Sequence, residues 1–284
     1  MSVSNTFFVK VILRSSSKLK IGGEHLKGRI VFVIGVALIF LGVLVVGNKV
    51  NAGNNEKLTE STNHHISNHQ HVNSEVAVNA FYNNDELVIE LIDLNDQVPE
   101  LELSHEMLMH AIVVSSVLQQ YYHVHPENKK DGVYTQQINL PDNIYNVFVD
   151  IKPKELNYEI APIQIHVGNT DGSSRKAKLS EDTNFTKIIN GQAVTLMLEA
   201  GIRVNEDIML DFELLGAKPQ PYLGALGHVV ILNEEADRFV HVHPMSASKT
   251  AFHTQFHEPG VYKIWAEFKF KDQVNVYPFV INVL

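Results

Sequence analysis

The chain has 284 residues, of which 45% are hydrophobic, and this is enough for about two domains of ordinary size. It contains no cysteine, which excludes disulfides, thiolate zinc sites and a blue-copper centre, because a blue-copper centre needs a cysteine ligand. The formal net charge of −9 argues against nucleic acid as a partner and is compatible with attracting cations.

The N-terminal part of the chain is basic and then apolar. Residues 1–29 contain six Lys or Arg and one Glu, and residues 30–47 are an uncharged apolar run. A run of this length is sufficient for a transmembrane helix, and its basic flank predicts a cytoplasmic N-terminus. We therefore predict a single-pass membrane anchor with everything after residue 50 outside the cytoplasm. The alternative is a secreted protein whose signal peptide is cleaved after Ala52.

The next segment, residues 48–75, is polar and rich in histidine. Its composition predicts a flexible tether that does not pack. Histidine-rich tracts bind soft and borderline cations weakly without a fold, so its histidines are candidate accessory ligands. These residues are His64, His65, His69 and His71. The alternative is a solvated linker whose histidines bind nothing.

From residue 76 onward, short β-type runs alternate with turn signals, and no stretch shows sustained helical periodicity. This density of short strands is typical of β-sandwiches. A polar stretch at 169–183 divides the runs into two sets. We therefore predict an all-β fold with two tandem immunoglobulin-like β-sandwiches, at 76–168 and 184–284.

Each predicted sandwich carries the same histidine signature. His110 is followed by the pair in His123-Val-His125-Pro, and His228 is followed at identical intervals by the pair in His241-Val-His243-Pro. Two copies with one spacing indicate an internal duplication.

The spacing predicts that each set of three histidines shares one face of a hairpin. Residues i and i+2 of a strand point the same way. A hairpin with Glu235 and Ala236 at its tip puts His228 opposite His243 and diagonal to His241. The first copy folds in the same way, so we predict one three-histidine metal site per sandwich. In the alternative interpretation the histidines are structural, in packed corners.

Three histidines leave one coordination position open. Candidate accessory ligands are Asp150 and Glu267, which occupy equivalent positions in the two copies, and Met245, which follows His243-Pro244. Imidazole with thioether favours copper over calcium or magnesium, which prefer oxygen ligands. Zinc is the alternative, because three histidines and a water also suit it.

Two motifs in the second copy resemble a known class of domains. One is Tyr222-Leu-Gly-Ala-Leu-Gly-His228 leading to His241-Val-His243-Pro244, and the other is the block from Phe256 to Tyr262. They are similar to bacterial extracytoplasmic β-sandwich domains of the YtkA-like and CopC-like class, over each of the two repeats. The resemblance implies an immunoglobulin-like module that binds copper outside the cell.

These observations predict a non-enzymatic, extracytoplasmic protein that binds metal, with copper favoured by its ligand types. Its expected role is metal sequestration, metal delivery or metal resistance. Its expected partners are a metal ion and, through the N-terminal helix, the membrane; the sequence identifies no metal-transport protein. Two alternatives stay open: a structural or adhesion stalk whose His-Val-His-Pro motifs are fold corners, and a zinc-dependent hydrolase. The sequence has no HExxH motif and no nucleophile elbow, which argues against the hydrolase.

Overall fold

The computed structural model describes residues 74–170, 177–199 and 201–284. The predicted basic segment, membrane anchor and tether, with the tether histidines His64, His65, His69 and His71, lie outside these residues. All regular structure in the described residues is β, in eighteen strands, which confirms the predicted all-β fold for this part of the chain. Over the same residues, no helix is long and apolar enough to cross a membrane.

The first repeat forms two facing antiparallel sheets. Its strands are β1 (Val76–Asn83), β2 (Glu86–Asp93), β3 (Leu101–Glu102), β4 (Met109–Ser115), β5 (Tyr121–Val124), β6 (Glu127–Lys130), β7 (Val133–Gln137), β8 (Asn143–Pro153) and β9 (Ile163–Val167). One sheet has the order β1-β2-β7-β6, and the other has the order β3-β8-β4-β5 with β9 also paired to β8. Alternate side chains from both sheets, among them Leu87 and Val147, form the core between them.

The second repeat has the same architecture. Its strands are β10 (Thr186–Ile189), β11 (Gln192–Met197), β12 (Asp207–Leu215), β13 (His228–Asn233), β14 (Phe239–Val240), β15 (Val242–Pro244), β16 (Ala251–Gln255), β17 (Gly260–Phe270) and β18 (Gln273–Val283). They form sheets of order β10-β11-β12-β16-β15 and β14-β13-β17-β18 around a separate core that includes Phe212 and Phe268. Two tandem β-sandwiches are therefore present.

Equivalent tyrosines anchor a corner in each sandwich. The Tyr145 hydroxyl donates a hydrogen bond to the carbonyl of Pro141, and the Tyr262 hydroxyl donates one to the carbonyl of Glu258, both at 2.9 Å. Each bond fixes a turn just before a long strand, β8 in one repeat and β17 in the other. The duplication therefore extends to the local structure around both tyrosines.

The strands β4 and β13 are buried on both faces. In β4 the side chains of Ala111 and Val113 point into the core of their own sandwich, whereas those of Ile112 and Val114 point away from it. The outward side chains form a third apolar cluster with side chains of the second repeat: Val230, Leu232, Ala236 and Trp265. The two sandwiches thus bury the outer faces of these sheets against each other.

Two of the hydrogen bonds across this interface are equivalent to each other. Asn146 Nδ2 of β8 donates to the carbonyl of Ala236 at 2.8 Å. The residue equivalent to Asn146 in β17 is Lys263, whose Nζ donates to the carbonyl of Leu118 at 2.6 Å. Because each repeat gives and receives the same contact, an approximate two-fold axis relates the repeats at the interface.

Aromatic contacts follow the same symmetry. Tyr121 of the first repeat stacks on Trp265 of the second, with ring centroids 4.8 Å apart and planes inclined by 15°. The reciprocal pair, Phe148 and Phe239, has centroids 6.1 Å apart. These side chains form the apolar part of the interface next to the histidines.

We predict that Phe148→Ala destabilises the protein by about 3–5 kcal/mol, because this ring is fully buried between the repeats and its removal leaves a cavity. Phe81→Ala is the matched control, since the Phe81 side chain is 51% exposed, and it should change the free energy of unfolding by about 1 kcal/mol or less. Urea unfolding of the two variants measures the difference. Equal losses would contradict an interface that contributes to stability.

Candidate metal centre

The structure brings the first predicted triad together. The hairpin of β4 and β5 pairs Ile112 with His123, so His110 and His123 project from one face of the sheet, as the spacing predicts. His125 follows β5 immediately. One ligand atom from each of the three histidines lies within 4.8 Å of the others, which makes them a group that could hold a metal ion.

The second predicted triad does not form a compact group. β13 and β14 pair in the expected register, with Ile231 opposite Val240. However, β14 ends at Val240, and the chain then crosses to the opposite sheet, where His243 pairs with His253 of β16. This crossover separates His241 and His243 from His228. Among the described residues, only the first triad brings three such ligand atoms together.

His228 lies instead beside the first triad. Its ring centroid is 5.5 Å from that of His110, with nearly parallel planes, and 5.2 Å from that of His123. The ring of His105 packs edge-on against His228 at 4.8 Å. We call the set formed by these rings and His125 the histidine cluster. It contains residues of both repeats, contrary to the expectation of one independent site per sandwich.

Hydrogen bonds fix the orientation of two rings in the histidine cluster. His110 Nε2 lies 2.9 Å from the carbonyl oxygen of Ser104, and His123 Nδ1 lies 2.9 Å from Glu267 Oε2. Carbonyl and carboxylate oxygens only accept, so both of these nitrogens carry hydrogen and donate.

The other two nitrogens of these rings, His110 Nδ1 and His123 Nε2, face each other at 3.0 Å. In neutral rings both are lone pairs, because each ring has placed its single hydrogen on the far nitrogen. Two lone pairs at this distance repel each other. A metal ion bound to both nitrogens, beside the line that joins them, removes this repulsion.

Glu267 lies on β17 directly opposite His228, on the neighbouring strand as expected. Its side chain, a candidate ligand for its own repeat, contacts His123 of the other repeat. Its second oxygen, Oε1, accepts a hydrogen bond from the Tyr121 hydroxyl at 2.8 Å. A buried carboxylate that orients an imidazole is a common outer partner of metal-binding histidines. Glu267 is therefore suited to orient a ligand from outside the coordination sphere.

Burial favours the neutral form of three rings of the histidine cluster. It lowers the pKa of His110 to about 4, that of His125 to about 3 and that of His228 to about 2. The Nε2 atoms of His125 and His228 are buried without a hydrogen-bond partner among the described residues. An unpaired buried polar atom costs about 1–3 kcal/mol. Neutral imidazoles with free lone pairs are the form that binds metal ions.

A tight turn at Ser104–Met107 contributes to the site. His105 has a φ of +48° in this turn, which brings its ring into the histidine cluster while the Ser104 carbonyl reaches His110. The equivalent turn of the second repeat has Leu223 in place of His105, with a φ of +53°. Because His105 has no counterpart in the second copy, the repeated histidine spacing does not predict its place in the site.

Gly227 allows the close approach that positions His228. A Cβ atom at residue 227 would lie 2.6 Å from the Phe268 ring and 2.7 Å from the carbonyl oxygen of Glu267. The start of β13 can therefore pack tightly against β17 only with glycine there. The Gly-His pair in the sequence was the available signal for this constraint.

A cavity of about 410 Å³ opens beside the histidine cluster. Residues of both repeats line it, including His105, His110, Asp150, His228, His241 and His243. Burial raises the pKa of Asp150, and the neighbouring His241 opposes this effect. Met245, a predicted accessory ligand, is 51% exposed and does not line the cavity.

We predict that the metal-free protein loses stability as the pH falls from 6.5 to 5. Histidines of the unfolded chain have a pKa near 6.5, whereas burial in the folded protein lowers the pKa of His110, His125 and His228. Over this pH range the unfolded chain therefore binds more protons than the folded protein, and acid favours unfolding. The upper limit is about 1.4 kcal/mol per pH unit for each histidine, and partial solvent access reduces it. Urea unfolding in the presence of a chelator measures the slope.

A substitution tests the origin of this slope. His228→Gln should make it shallower, and His166→Gln should leave it unchanged, because His166 lies on the exposed face of β9. If both variants keep the slope of the original protein, buried neutral histidines are not its cause.

Comparison with curated proteins found no match. Similar solved structures include the FN1–FN3 domains of chicken CNTN1 (15% identity, 73% of this chain and 66% of that chain, TM-score 0.21). Another is the BSP domain of a biofilm associated protein (11% identity, 74% of this chain and 29% of that chain, TM-score 0.21). A third is titin A168169 (10% identity, 75% of this chain and 97% of that chain, TM-score 0.20). The chain thus spans less than two thirds of the first two.

A family model described as a domain of unknown function, DUF8832, matches residues 67–168 and again residues 187–284. One match falls in each sandwich, which confirms the tandem repeat predicted from the histidine spacing. The chain belongs to the DUF8832 family, with two copies of its domain.

Proposed function

We propose that this protein binds one metal ion between two immunoglobulin-like β-sandwiches, in the histidine cluster. The observation that carries the proposal is the 3.0 Å separation of His110 Nδ1 and His123 Nε2, two lone-pair nitrogens that face each other. Imidazole nitrogens bound to one ion at about 2.0–2.1 Å lie roughly 3 Å apart. The separation therefore suits a shared ion that lies beside the line joining the two nitrogens.

His125 is the third proposed ligand, since its ligand atom lies within 4.8 Å of those of the other two histidines. The ring of His228 lies beside these histidines, and its Nε2 atom is buried without a hydrogen-bond partner in the described residues. Ser104 and Glu267 hold the ring orientations of His110 and His123 from outside. Metal ions compete with protons for these nitrogens, so affinity increases with pH.

The donor set supports copper, with zinc as the alternative. All proposed ligand atoms are imidazole nitrogens, whereas calcium and magnesium prefer oxygen. Copper(II) binds nitrogen sites more strongly than the other divalent first-row ions. Zinc also accepts three histidines with an open position.

The proposed setting is extracytoplasmic, because residues 30–47 have the length and polarity of an anchor or export signal. A buried ion held by residues of both repeats suits sequestration, or delivery to a partner that draws the two sandwiches apart. The three ligands belong to the first repeat, whereas the neighbouring His228 and the orienting Glu267 belong to the second, so bound metal should also stabilise the interface between the repeats.

Copper titration of the full chain tests the proposal, with His64, His65, His69 and His71 all replaced by Ser to remove the tether ligands. We expect one tight equivalent of Cu²⁺. Binding should quench the fluorescence of Trp265, the only tryptophan, because its ring lies close to the proposed centre. Trp265 stacks on Tyr121, and the Tyr121 hydroxyl donates a hydrogen bond to Glu267, which contacts His123.

In the same background, His123→Ala should abolish both the tight equivalent and the quenching. The matched control is His166→Ala, which removes an exposed histidine of the same repeat and should change neither. Tight binding that persists in His123→Ala contradicts the proposed centre. It would leave the histidines with a structural role or assign the metal to other residues.

A second prediction concerns the carboxylate. Glu267→Gln keeps the shape of the side chain but removes its charge, and it should weaken copper binding by about 10–100-fold at unchanged stoichiometry. Glu127→Gln, at an exposed carboxylate paired with Lys129, is the matched control and should bind like the original protein. Equal affinities of the two variants would mean that Glu267 does not orient a ligand.

A further inference from the structure

The approximate two-fold axis divides the histidines into two unequal halves. His110 and His228 are equivalent residues, and their rings stack on each other at 5.5 Å. On one side of this pair, His123 and Glu267 form a buried hydrogen bond. The equivalent residues on the other side are His241 and Asp150, which line the cavity. His123 also lines the cavity, but its side chain is only 2% exposed, whereas His241 is exposed. One half is therefore closed to solvent and the other is open.

The position of a strand crossover explains the difference. β5 stays paired to β4 as far as Val124, so His123 is held within the ladder. β14 leaves β13 after Val240, so His241 lies between two sheets and is exposed. The same His-Val-His-Pro segment is thus fixed in the interface in one repeat and accessible to solvent in the other.

The open half joins solvent to the histidine cluster. His241 and His243 are exposed, and their ring centroids are 5.2 Å apart. Both residues line the 410 Å³ cavity, together with Asp150 and His105, and both also line a neighbouring surface pocket. Only this cavity therefore separates an ion bound to His241 and His243 from the buried nitrogens of the histidine cluster.

The pair continues onto the outer surface of the sandwich. His243 of β15 lies directly opposite His253 of β16, which lies directly opposite Met209 of β12. Residues opposite one another on adjacent strands share a face, so these side chains form a row on the outer face of the sheet. Met209 is 56% exposed. Imidazole and thioether are the donors that copper prefers.

We propose that His241 and His243, with Asp150, form an acquisition site that takes a metal ion from solvent and passes it through the cavity to the buried centre. This rests on the proposed function. Exposed ligands of this kind bind more weakly than a buried preorganised set, so the ion moves inward. The Asp150 carboxylate attracts the cation and can bind it on the way.

The test is the rate of copper loading into the full chain, with the tether histidines replaced by Ser. Stopped-flow mixing with a copper–glycine complex follows the quenching of Trp265. The double variant His241→Ala/His243→Ala should load about tenfold more slowly or worse, and reach the same final copper content. Asp150→Asn should slow loading in the same direction. His166→Ala, at an exposed histidine that lines neither the cavity nor the neighbouring pocket, is the matched control and should load at the original rate.

Each result decides a different point. An unchanged rate in the double variant overturns the acquisition site. A final copper content that falls to zero in the double variant also overturns it, because His241 or His243 would then be a ligand of the centre itself. Failure of the original protein to load copper at all overturns the proposed function as well. Thermal unfolding of each variant identifies any that fails to fold.

Discussion

Burial of the outer faces of β4 and β13 against each other is the constraint on which the rest of the structure depends. An interface between two sandwiches excludes water, so every polar group within it needs a partner. Burial therefore favours the neutral form of His110, His125 and His228, and carbonyl and carboxylate groups orient the rings of His110 and His123 from fixed directions. The same burial leaves specific lone pairs without hydrogen-bond partners. A surface hairpin with the same residues would have water at each of these positions.

Much of the fold follows from local patterns. The period of two along each strand and the turn signals define the strands, and the hairpin register determines that His110, His123 and His125 share a face. These features depend on residues close in sequence. The packing of one sandwich on the other is not local, yet the sequence contains a trace of it. Residues 111–114 and 229–232 are continuous apolar runs without alternation, which is typical of strands buried on both faces.

The second triad differs from what its histidine spacing predicts. Both copies have identical histidine spacing, so the same site is expected in each. The structure differs because β14 leaves its partner strand earlier than β5 does. Nothing in the His-Val-His-Pro motif encodes that difference, since the crossover depends on how the following strand pairs in the opposite sheet. The contact between His123 and Glu267 is likewise invisible in either repeat alone, because it joins the two.

A duplication that packs about an approximate two-fold axis brings equivalent residues together instead of keeping two separate sites. In this chain His110 meets its own counterpart, His228. The two halves then diverge: one is closed by a buried carboxylate, and the other is open to a cavity. Under the proposed function, one buried centre per chain replaces the two independent sites that the repeat suggests, and the second repeat completes its surroundings with Glu267 and His228.

Crystallography of the copper-loaded protein, with anomalous diffraction at the copper edge, tests the central claim most directly. We expect one strong peak within about 2.1 Å of both His110 Nδ1 and His123 Nε2, at the interface between the repeats. Two peaks of equal strength, one inside each sandwich, or a peak confined to exposed histidines, would contradict a single centre built from both repeats.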